Sequence, residues 1–443
     1  MSSIRNVVTS RARDLAARLR TVQAAWAAAA VAITLLTVLF YANLTSPDRT
    51  VEHPIAHRYD TRDAQFQRTM SHLLGPPVVP GNRITPLLNG DQAFPAMLEA
   101  IRSARHSITL EAYIFWPGTM GTTFAEALAE RARAGVAVHL IIDGLGSQKL
   151  DEDLIDAMRQ AGVQVVKFRP VRWYTLDRVN HRTHRKLLIV DGRVGFTGGL
   201  GIADLYLGHA QDKDHWRDGQ FRAEGPVVGQ LQAAFLDNWI ETGGRLLHGT
   251  DYFPPLQSAG GAWAQAVYSS PGGGTEHLRL MYFLAVASAS RSILIGNPYF
   301  VPNTLAVEML VEARRRGVNV ELIVPGPITD AGLVRRASRA KWGPLLEAGV
   351  KIYEYQPTMY HNKLMVVDDY WVSVGSANLD NRSFRLNDEA NLNVFDESFA
   401  RTQAEIFAQD RARSHRVTLE EWRGRPITER IEEMVAWVLR RQL

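Results

Sequence analysis

The chain is written twice, and this constrains it more than any other feature. Ser107–Phe115 reads as a strand ending at Trp116-Pro117, Thr123–Ala134 as a helix stopped by Gly135, and Val136–Ile142 as a strand. A second helix, Leu154–Ala161, stops at Gly162 and leads into the strand Val163–Phe168. Glycine just past a helix accepts the left-handed conformation that ends it. Alternating strands and helices call for an α/β sheet covered by helices. The rhythm returns as Ser292–Phe300 ending at Val301-Pro302, a helix over Leu305–Arg316 with Gly317, the strand Val318–Val324, and a helix ending at Gly349 before Val350–Tyr355. Ser107 and Ser292, like Pro117 and Pro302, are 185 residues apart; Gly135 and Gly317 are 182 apart, and Gly162 and Gly349 187. Four landmarks in order, each with the same structural meaning, indicate a duplication. The expected organisation is a basic segment (1–23), an apolar helix (24–44), a linker with one helix (45–82), a first half (83–255), a Gly/Ser-rich connection (256–275), a second half (276–410) and a C-terminal amphipathic segment (411–443).

Each half ends in one pattern, H-x-K-x4-D-x6-G-[GS]. It is His184, Lys186, Asp191 and Gly198-Gly199 in the first half, and His361, Lys363, Asp368 and Gly375-Ser376 in the second. On an extended strand, positions i and i+2 face the same way, so an imidazole and an ammonium project together. A small Gly-Gly or Gly-Ser pair suits a place where backbone approaches a ligand or amides face an anion. If the halves meet across a pseudo-two-fold axis, two histidines and two lysines converge on one pocket. That inventory suits phosphoryl transfer without a metal or cofactor. One imidazole attacks phosphorus, the other protonates the leaving alkoxide, and the lysines offset charge on the non-bridging oxygens. A carboxylate is expected to orient each imidazole: Glu389, which follows His361 by 28 residues, and its positional counterpart in the first half, Asp218. Asp191 and Asp368 complete the catalytic set, with a turn or packing role as the alternative. The remaining histidines read as surface or core residues, apart from His181, which lies close enough to the first motif to be a ligand candidate.

Ala24–Leu44 carries no charge, and its 21 residues are long enough for a helix crossing a hydrocarbon core of about 30 Å. Trp26 and Tyr41 near its ends suit the interfaces. Arg5, Arg11, Arg13, Arg18 and Arg20 precede it, so the N-terminus is expected inside and the remainder outside the cell membrane, on a single-pass anchor. A cleaved signal peptide and a buried core helix are the alternatives. Once those arginines and Asp14 are set aside, the remainder has 45 basic and 45 acidic residues, so no general polyanion field is expected and no nucleic-acid partner. The absence of cysteine excludes disulfides, thiolate metal centres and a cysteine nucleophile.

The duplicated motif resembles that of the phospholipase D superfamily, over roughly residues 83–443. The segments EAYIFWPGTMG, HRTHRKLLIVDGRVGFTGGLGIAD, NPYFVP and HNKLMVVDDYWVSVGSANLDNRSFRLNDEANL are most similar to the bacterial cardiolipin synthases of that superfamily. The resemblance implies two pseudo-symmetric α/β halves, each a mixed sheet flanked by helices, behind an N-terminal transmembrane helix. It implies one active site at their interface and a phosphatidyl-histidine intermediate, with His184 as nucleophile and His361 as acid/base. It also implies phosphate-binding roles for Gly199, Ser376 and Asn378. The first half departs from the family's G-S-x-N at Gly201, where asparagine is frequent.

The superfamily includes nucleases as well as lipid enzymes, so the substrate rests on other features. Lys167, Arg169, Arg172, Arg178, Arg182, Arg185 and Lys186 face a single acid, Asp177, and are interleaved with Phe168, Trp173 and Tyr174. Arg335, Arg336, Arg339, Lys341 and Trp342 occupy the matching region of the second half. Cations with interfacial aromatics suit an anionic phospholipid surface, although a solvated loop or base stacking gives the same composition. With the apolar N-terminal helix, these features favour a lipid substrate; the resemblance to cardiolipin synthases implies phosphatidylglycerol as that lipid and phosphatidyl transfer between two such lipids as the reaction. A hydrolytic phospholipase D, a metal-independent nuclease and an inactive membrane scaffold are the alternatives. Ile427, Ile431, Met434, Val435 and Val438 share one face of a C-terminal helix, which is expected to pack on the core.

Overall fold

The computed structural model describes residues 18, 20–35, 37–38, 51, 53–171, 180–270 and 276–438. Arg49–Val171 and His181–Leu443 form one compact unit, and the N-terminal region belongs to another. The strands are β1 (Val79–Leu88), β2 (Ser107–Ala112), β3 (Ala137–Asp143), β4 (Gln164–Phe168), β5 (Leu187–Val190), β6 (Val194–Gly198), β7 (Gly219–Glu224), β8 (Ala262–Ser269), β9 (Ser292–Gly296), β10 (Asn319–Pro325), β11 (Lys351–Tyr355), β12 (Leu364–Val367), β13 (Trp371–Gly375), β14 (Glu389–Phe395) and β15 (Ser414–Val417). They form one ladder in the order β15-β11-β10-β9-β12-β13-β14-β8-β1-β7-β6-β5-β2-β3-β4. Read outward from the β8–β1 seam, the two sides match strand for strand, with β15 an addition to the second. In each half three strands run parallel, β2-β3-β4 and β9-β10-β11, and a hairpin lies antiparallel to them, β5-β6 and β12-β13. This is the duplicated mixed α/β architecture expected from the repeat.

The sheet is covered on both faces, so its inner strands are apolar without alternation. β5 (Leu-Leu-Ile-Val) and β12 (Leu-Met-Val-Val) are buried at every position. Gly135 and Gly317 end their helices at φ 89° and 94°, a conformation that residues with a Cβ avoid. One core cluster lies in each half, and a third is shared. The shared cluster joins Leu187, Phe221 and Phe235 of the first half to Leu364, Val372 and Phe407 of the second.

Three boundaries differ from expectation. The presumed connection 256–275 contains β8, which pairs with β14 over seven positions and is the innermost strand of the second half. Its alternation of Ala, Gln and Val was masked by the surrounding Gly and Ser. The presumed linker contains the one helix expected there, Ala64–Leu73, but also the start of β1. Phe66 and Met70 of that helix are fully buried, and the Phe66 ring lies 6.2 Å from that of Trp371, so the segment is part of the second half's core. The strands read as Ser107–Phe115 and Ser292–Phe300 stop at Ala112 and Gly296. Beyond those points the chain leaves the ladder and carries aromatic side chains into the cavity described below.

The C-terminal helix, Ile427–Val438, forms as expected but packs by another face. Glu433 and Ala436 are buried, and Ala436 joins a small cluster with Val301 and Ala337. Ile427, Ile431, Met434 and Val435 are more than half exposed, so the expected burial of that stripe is not what the structure has. Arg339 and Arg425 explain the choice of face, because both form ion pairs with Glu433. Residues 20–35 and 37–38 are helical, and the rest of the expected 24–44 span lies outside the described residues. Among the described residues no helix is long and apolar enough to cross a membrane.

Candidate active site

The two motifs lie in extended backbone just before β5 and β12, where each pairs with the opposite half instead of its own. Thr183 bridges Asp388 in parallel, with the His184 amide donating to Asp388 O at 2.8 Å and the Asp388 amide to Arg182 O at 2.9 Å. Its mirror is Arg217 bridging Tyr360, with the His361 amide donating to Arg217 O at 2.8 Å and the Arg217 amide to Met359 O at 2.9 Å. The residue after Asp388 is Glu389, and the residue after Arg217 is Asp218.

The carboxylates are therefore crossed. His184 Nδ1 lies 2.9 and 3.0 Å from the two oxygens of Glu389, and His361 Nδ1 lies 2.6 Å from Asp218 Oδ2. Reading along the sequence pairs Glu389 with His361 and Asp218 with His184. The structure corrects that pairing, because the bridges between halves, not sequence separation, decide which side chains meet. A carboxylate at Nδ1 holds the proton there; on His184 this leaves the Nε2 lone pair free for attack, while on His361 Lys363 Nζ stands 3.1 Å from Nε2.

His184, Lys186, His361 and Asn378 line one cavity with about 260 Å³ of space for water. Lys186 Nζ donates to His184 O at 2.9 Å, and Lys363 Nζ stands 2.9 and 3.1 Å from the two ring nitrogens of His361. Both imidazoles and both ammonium groups are buried, which works against charge. Burial draws His184 down to about 4 against the pull of Glu389, and burial with the adjacent Lys363 draws His361 down to about 3. Burial likewise lowers Lys186 to about 7 and Lys363 to about 8. Burial would raise Glu389, but His184 and Lys186 outweigh it and hold the group below the usual carboxylate range. At neutral pH the site thus holds neutral imidazoles backed by carboxylates.

Asp191 and Asp368 are not in the cavity. Asp191 accepts from the amides of Arg105, His106 and Ser107 at 2.7–3.1 Å, and Asp368 from those of Ser290, Arg291 and Ser292 at 2.7–2.9 Å. Each lies at the far end of its motif strand, and at about 3.3 Å per residue a side chain there does not reach back to the histidine. They tie the hairpin turn to the entry of β2 or β9, which corrects their place in the catalytic set. Gly199 and Ser376 are corrected as well. Their amides are spent on Gly219 O and Ala390 O, each at 3.0 Å. A Cβ on Gly199 would stand 2.1 Å from Asp218 Oδ1, so this glycine makes room for the carboxylate. At the matching position the Ser376 hydroxyl donates to Glu389 Oε2, while Ser383 Oγ donates to Oε1 at 2.7 Å. Asn378 does reach the cavity, and its buried Oδ1 has no partner. His181 is not part of the wall.

Sequence reasoning missed the aromatic wall. Tyr113, Tyr206, Trp216 and Tyr299 line the cavity. The Tyr113 ring meets that of His184 edge-on at 5.1 Å, and the Trp216 ring lies 5.0 Å from that of His361. Tyr113 and Tyr299 sit just past Ala112 and Gly296, where the chain leaves the ladder, an exit that the strand-like sequence running on to Phe115 and Phe300 conceals. Arg185, the central residue of H-x-K, is corrected too: read as part of a cationic surface patch, it is fully buried, as is Arg182. Arg185 donates to Asp237 Oδ2 at 2.9 Å, Ser269 O at 3.0 Å and Glu389 O at 3.3 Å. The expected cationic patches are largely neutralised. Arg169 pairs with Glu241, Arg335 and Arg339 with Glu354, and Arg336 with Glu432; residues 172–179 lie outside the described residues.

The family described as "Cardiolipin synthase, PLD-like domain" matches this chain twice, over residues 97–222 and 283–411. Cardiolipin synthase 2 of Bacillus anthracis is 37% identical over 350 residues, which are 78% of this chain and 68% of that protein. Cardiolipin synthase of Geobacillus thermodenitrificans (strain NG80-2) is 37% identical over 383 residues, 85% of this chain and 76% of that one. The crystal structure of a phosphatidylserine synthase from Haemophilus influenzae Rd KW20 superposes with a TM-score of 0.65 at 16% identity, covering 86% of this chain and all of that one, and shares the fold. The chain belongs to the cardiolipin synthase family of phospholipase D-like proteins.

Proposed function

We propose that this chain is a cardiolipin synthase. It transfers a phosphatidyl group from one phosphatidylglycerol to a headgroup hydroxyl of a second and releases glycerol. The observation that carries this reading is one cavity lined by both imidazoles and by Lys186, with Lys363 against His361 and each imidazole braced by a carboxylate of the other half. In the first step His184 Nε2 attacks phosphorus. The N–P bond forms, the P–O bond to glycerol breaks, and the leaving oxygen takes a proton from His361. In the second step His361 takes the proton of the incoming hydroxyl, whose oxygen displaces His184 from phosphorus. The phosphodiester anion favours the charged forms that burial opposes, so its arrival holds Lys186 and Lys363 in their charged forms and lets His361 hold the proton it donates.

The substrate is a membrane lipid, and two features support attachment to a bilayer. Trp26, Val31, Ile33 and Leu35 are exposed on the N-terminal helical stretch, which we read as part of a single-pass anchor with the catalytic region on the extracytoplasmic side. The exposed apolar face of Ile427–Val438 suits shallow insertion among lipid headgroups.

The purified full chain in phosphatidylglycerol vesicles is expected to produce cardiolipin and glycerol in equal amounts, and His184→Ala or His361→Ala to abolish both. Phosphatidic acid as the sole product would make the chain a hydrolytic phospholipase D instead.

A further inference from the structure

The reacting groups of the cavity are symmetric, but its wall is not. Tyr299 and Asp330 both line it, and Tyr299 Oη donates to Asp330 Oδ2 at 2.6 Å. The offset of 185 residues that relates β2 to β9 matches Tyr299 to Ile114 in sequence, while Tyr113, edge-on to His184 at 5.1 Å, takes the corresponding place beside the first histidine with no carboxylate bonded to its hydroxyl among the described residues. The offset of 182 that relates β3 to β10 places Gln148 opposite Asp330, and Gln148 is not part of the wall. The pair therefore exists on one side only. That side belongs to His361, whose ring the Tyr299 ring meets edge-on at 5.9 Å.

Two carboxylates line this wall: Asp380, which caps the helix Asn381–Arg385 by accepting from the Ser383 amide at 2.7 Å, and Asp330. In a cavity that receives a phosphodiester anion a carboxylate without such a capping role is out of place, since it repels the ligand. It belongs where the ligand presents hydroxyl donors. An ionised carboxylate has about four acceptor positions, and Asp330 Oδ2 gives one of them to Tyr299. In phosphatidyl transfer between two phosphatidylglycerols, the group that leaves and the group that arrives are both glycerol. Both exchange their proton at the same imidazole, so one polyol subsite beside that imidazole serves both steps.

We propose that Tyr299 and Asp330 form this subsite. Asp330 accepts from the glycerol hydroxyls that are not reacting, and Tyr299 fixes the carboxylate while its ring walls the acid/base histidine. The inference rests on the transfer reading above and adds the acceptor class, a vicinal diol, together with the residues that select it. A pocket built to satisfy a hydroxyl discriminates strongly against an alcohol that lacks one.

The test is competition between two soluble acceptors, glycerol and 1-propanol, each carrying its own isotopic label, offered to the full chain on phosphatidylcholine vesicles doped with unlabelled phosphatidylglycerol as donor. Labelled phosphatidylglycerol and phosphatidylpropanol are counted as products. The natural chain is expected to favour glycerol. In Asp330→Ala the ratio of kcat/KM for glycerol to that for 1-propanol is expected to fall at least about tenfold, the effect of losing one hydrogen bond to a charged acceptor. Most of the fall should lie in KM for glycerol. Tyr299→Phe should lower the ratio less, and Asp330→Asn, which keeps the shape, covers the case in which the alanine variant does not fold. An unchanged ratio in Asp330→Ala and Asp330→Asn overturns the subsite. Binding of free glycerol, followed by saturation-transfer NMR, decides the subsite separately from turnover. Contact with the natural chain that is lost in Asp330→Asn supports it, and equal contact in both refutes it. A natural chain that makes neither phosphatidyl alcohol but binds glycerol through Asp330 refutes the transfer reading and leaves the subsite standing.

Discussion

Replacing Glu389 by glutamine tests the crossed arrangement at its most specific point. The change keeps the shape of the side chain and removes its charge. The Ser376 hydroxyl can turn away from the new amide, because Ala390 O lies 3.3 Å from it as an alternative acceptor. His184 Nδ1 has no such alternative, since both of its contacts, at 2.9 and 3.0 Å, are to Glu389. A hydrogen bond to a charged partner contributes about 1.5–3 kcal/mol. At about 1.36 kcal/mol per decade of rate, Glu389→Gln is expected to slow attack by His184 roughly 10- to 150-fold. Asp218→Asn should cause a loss of similar size, but at His361. A donor with a good leaving group separates the two effects, because p-nitrophenolate departs without a proton. With phosphatidyl-p-nitrophenol, release of the coloured product in the first turnover should stay slow in Glu389→Gln and recover in Asp218→Asn. The opposite pattern, recovery in Glu389→Gln alone, would refute the assignment of Glu389 to the attacking imidazole.

Three further outcomes follow from the same geometry. Asp191→Ala strips three backbone amides of their acceptor, so unfolding by urea should show a loss of about 1–3 kcal/mol, while the folded fraction keeps most of its turnover. Equal stability with activity lost would return Asp191 to the catalytic set. Gly199→Ala places a methyl group 2.1 Å from Asp218 Oδ1, and cardiolipin formation should fall at least about 100-fold with little change in melting temperature. Near-natural turnover would show that the Asp218 carboxylate needs no such room. His184 and His361 are held neutral in the folded chain, at about 4 and about 3 against 6.5 unfolded, so below pH 6.5 the unfolded state binds more protons. Stability should therefore decline as pH falls from 6.5 towards 4, and denaturation midpoints of His184→Gln and His361→Gln should decline less steeply than those of the natural chain.

Much of this was legible in the sequence because duplication doubles every signal. Two copies of His-x-Lys at matching offsets identified the cavity, and the helix-ending glycines identified the α/β rhythm. What stayed hidden depends on contacts between halves. Glu389 and Asp218 were recognisable as carboxylates opening a strand, but the bridges Thr183–Asp388 and Arg217–Tyr360, which decide the partner of each, have no local signature. Ser376 and Gly199 look like phosphate-binding residues until their amides are traced to Ala390 and Gly219. The stripe Ile427–Met434 reads as a buried face because periodicity reports amphipathicity, not which side is wet. Here the buried ion pairs of Glu433 reverse the usual choice.

The crossing also explains why the duplication persists as one chain. Suppose the first half folded alone. β8 would be absent from beside β1, and Leu187 and Phe221 would lose their part of the shared core, each at a loss of roughly 1.5–3 kcal/mol if fully uncovered. More directly, His184 would lose Glu389, and its backbone amide would lose Asp388 O. The second half alone would leave His361 without Asp218 and its amide without Arg217 O. Neither half holds a competent imidazole, so chemistry appears only when both are docked. That dependence frees the two sides to diverge in what surrounds their histidines without losing either. Gly199 with the shorter Asp218 on one side and Ser376 with the longer Glu389 on the other are two solutions to one packing problem. Each imidazole meets one tyrosine edge-on, Tyr113 at His184 and Tyr299 at His361, but only His361 also has the rings of Tyr206 and Trp216 beside it, and that gives the two imidazoles different neighbours and so makes room for different tasks.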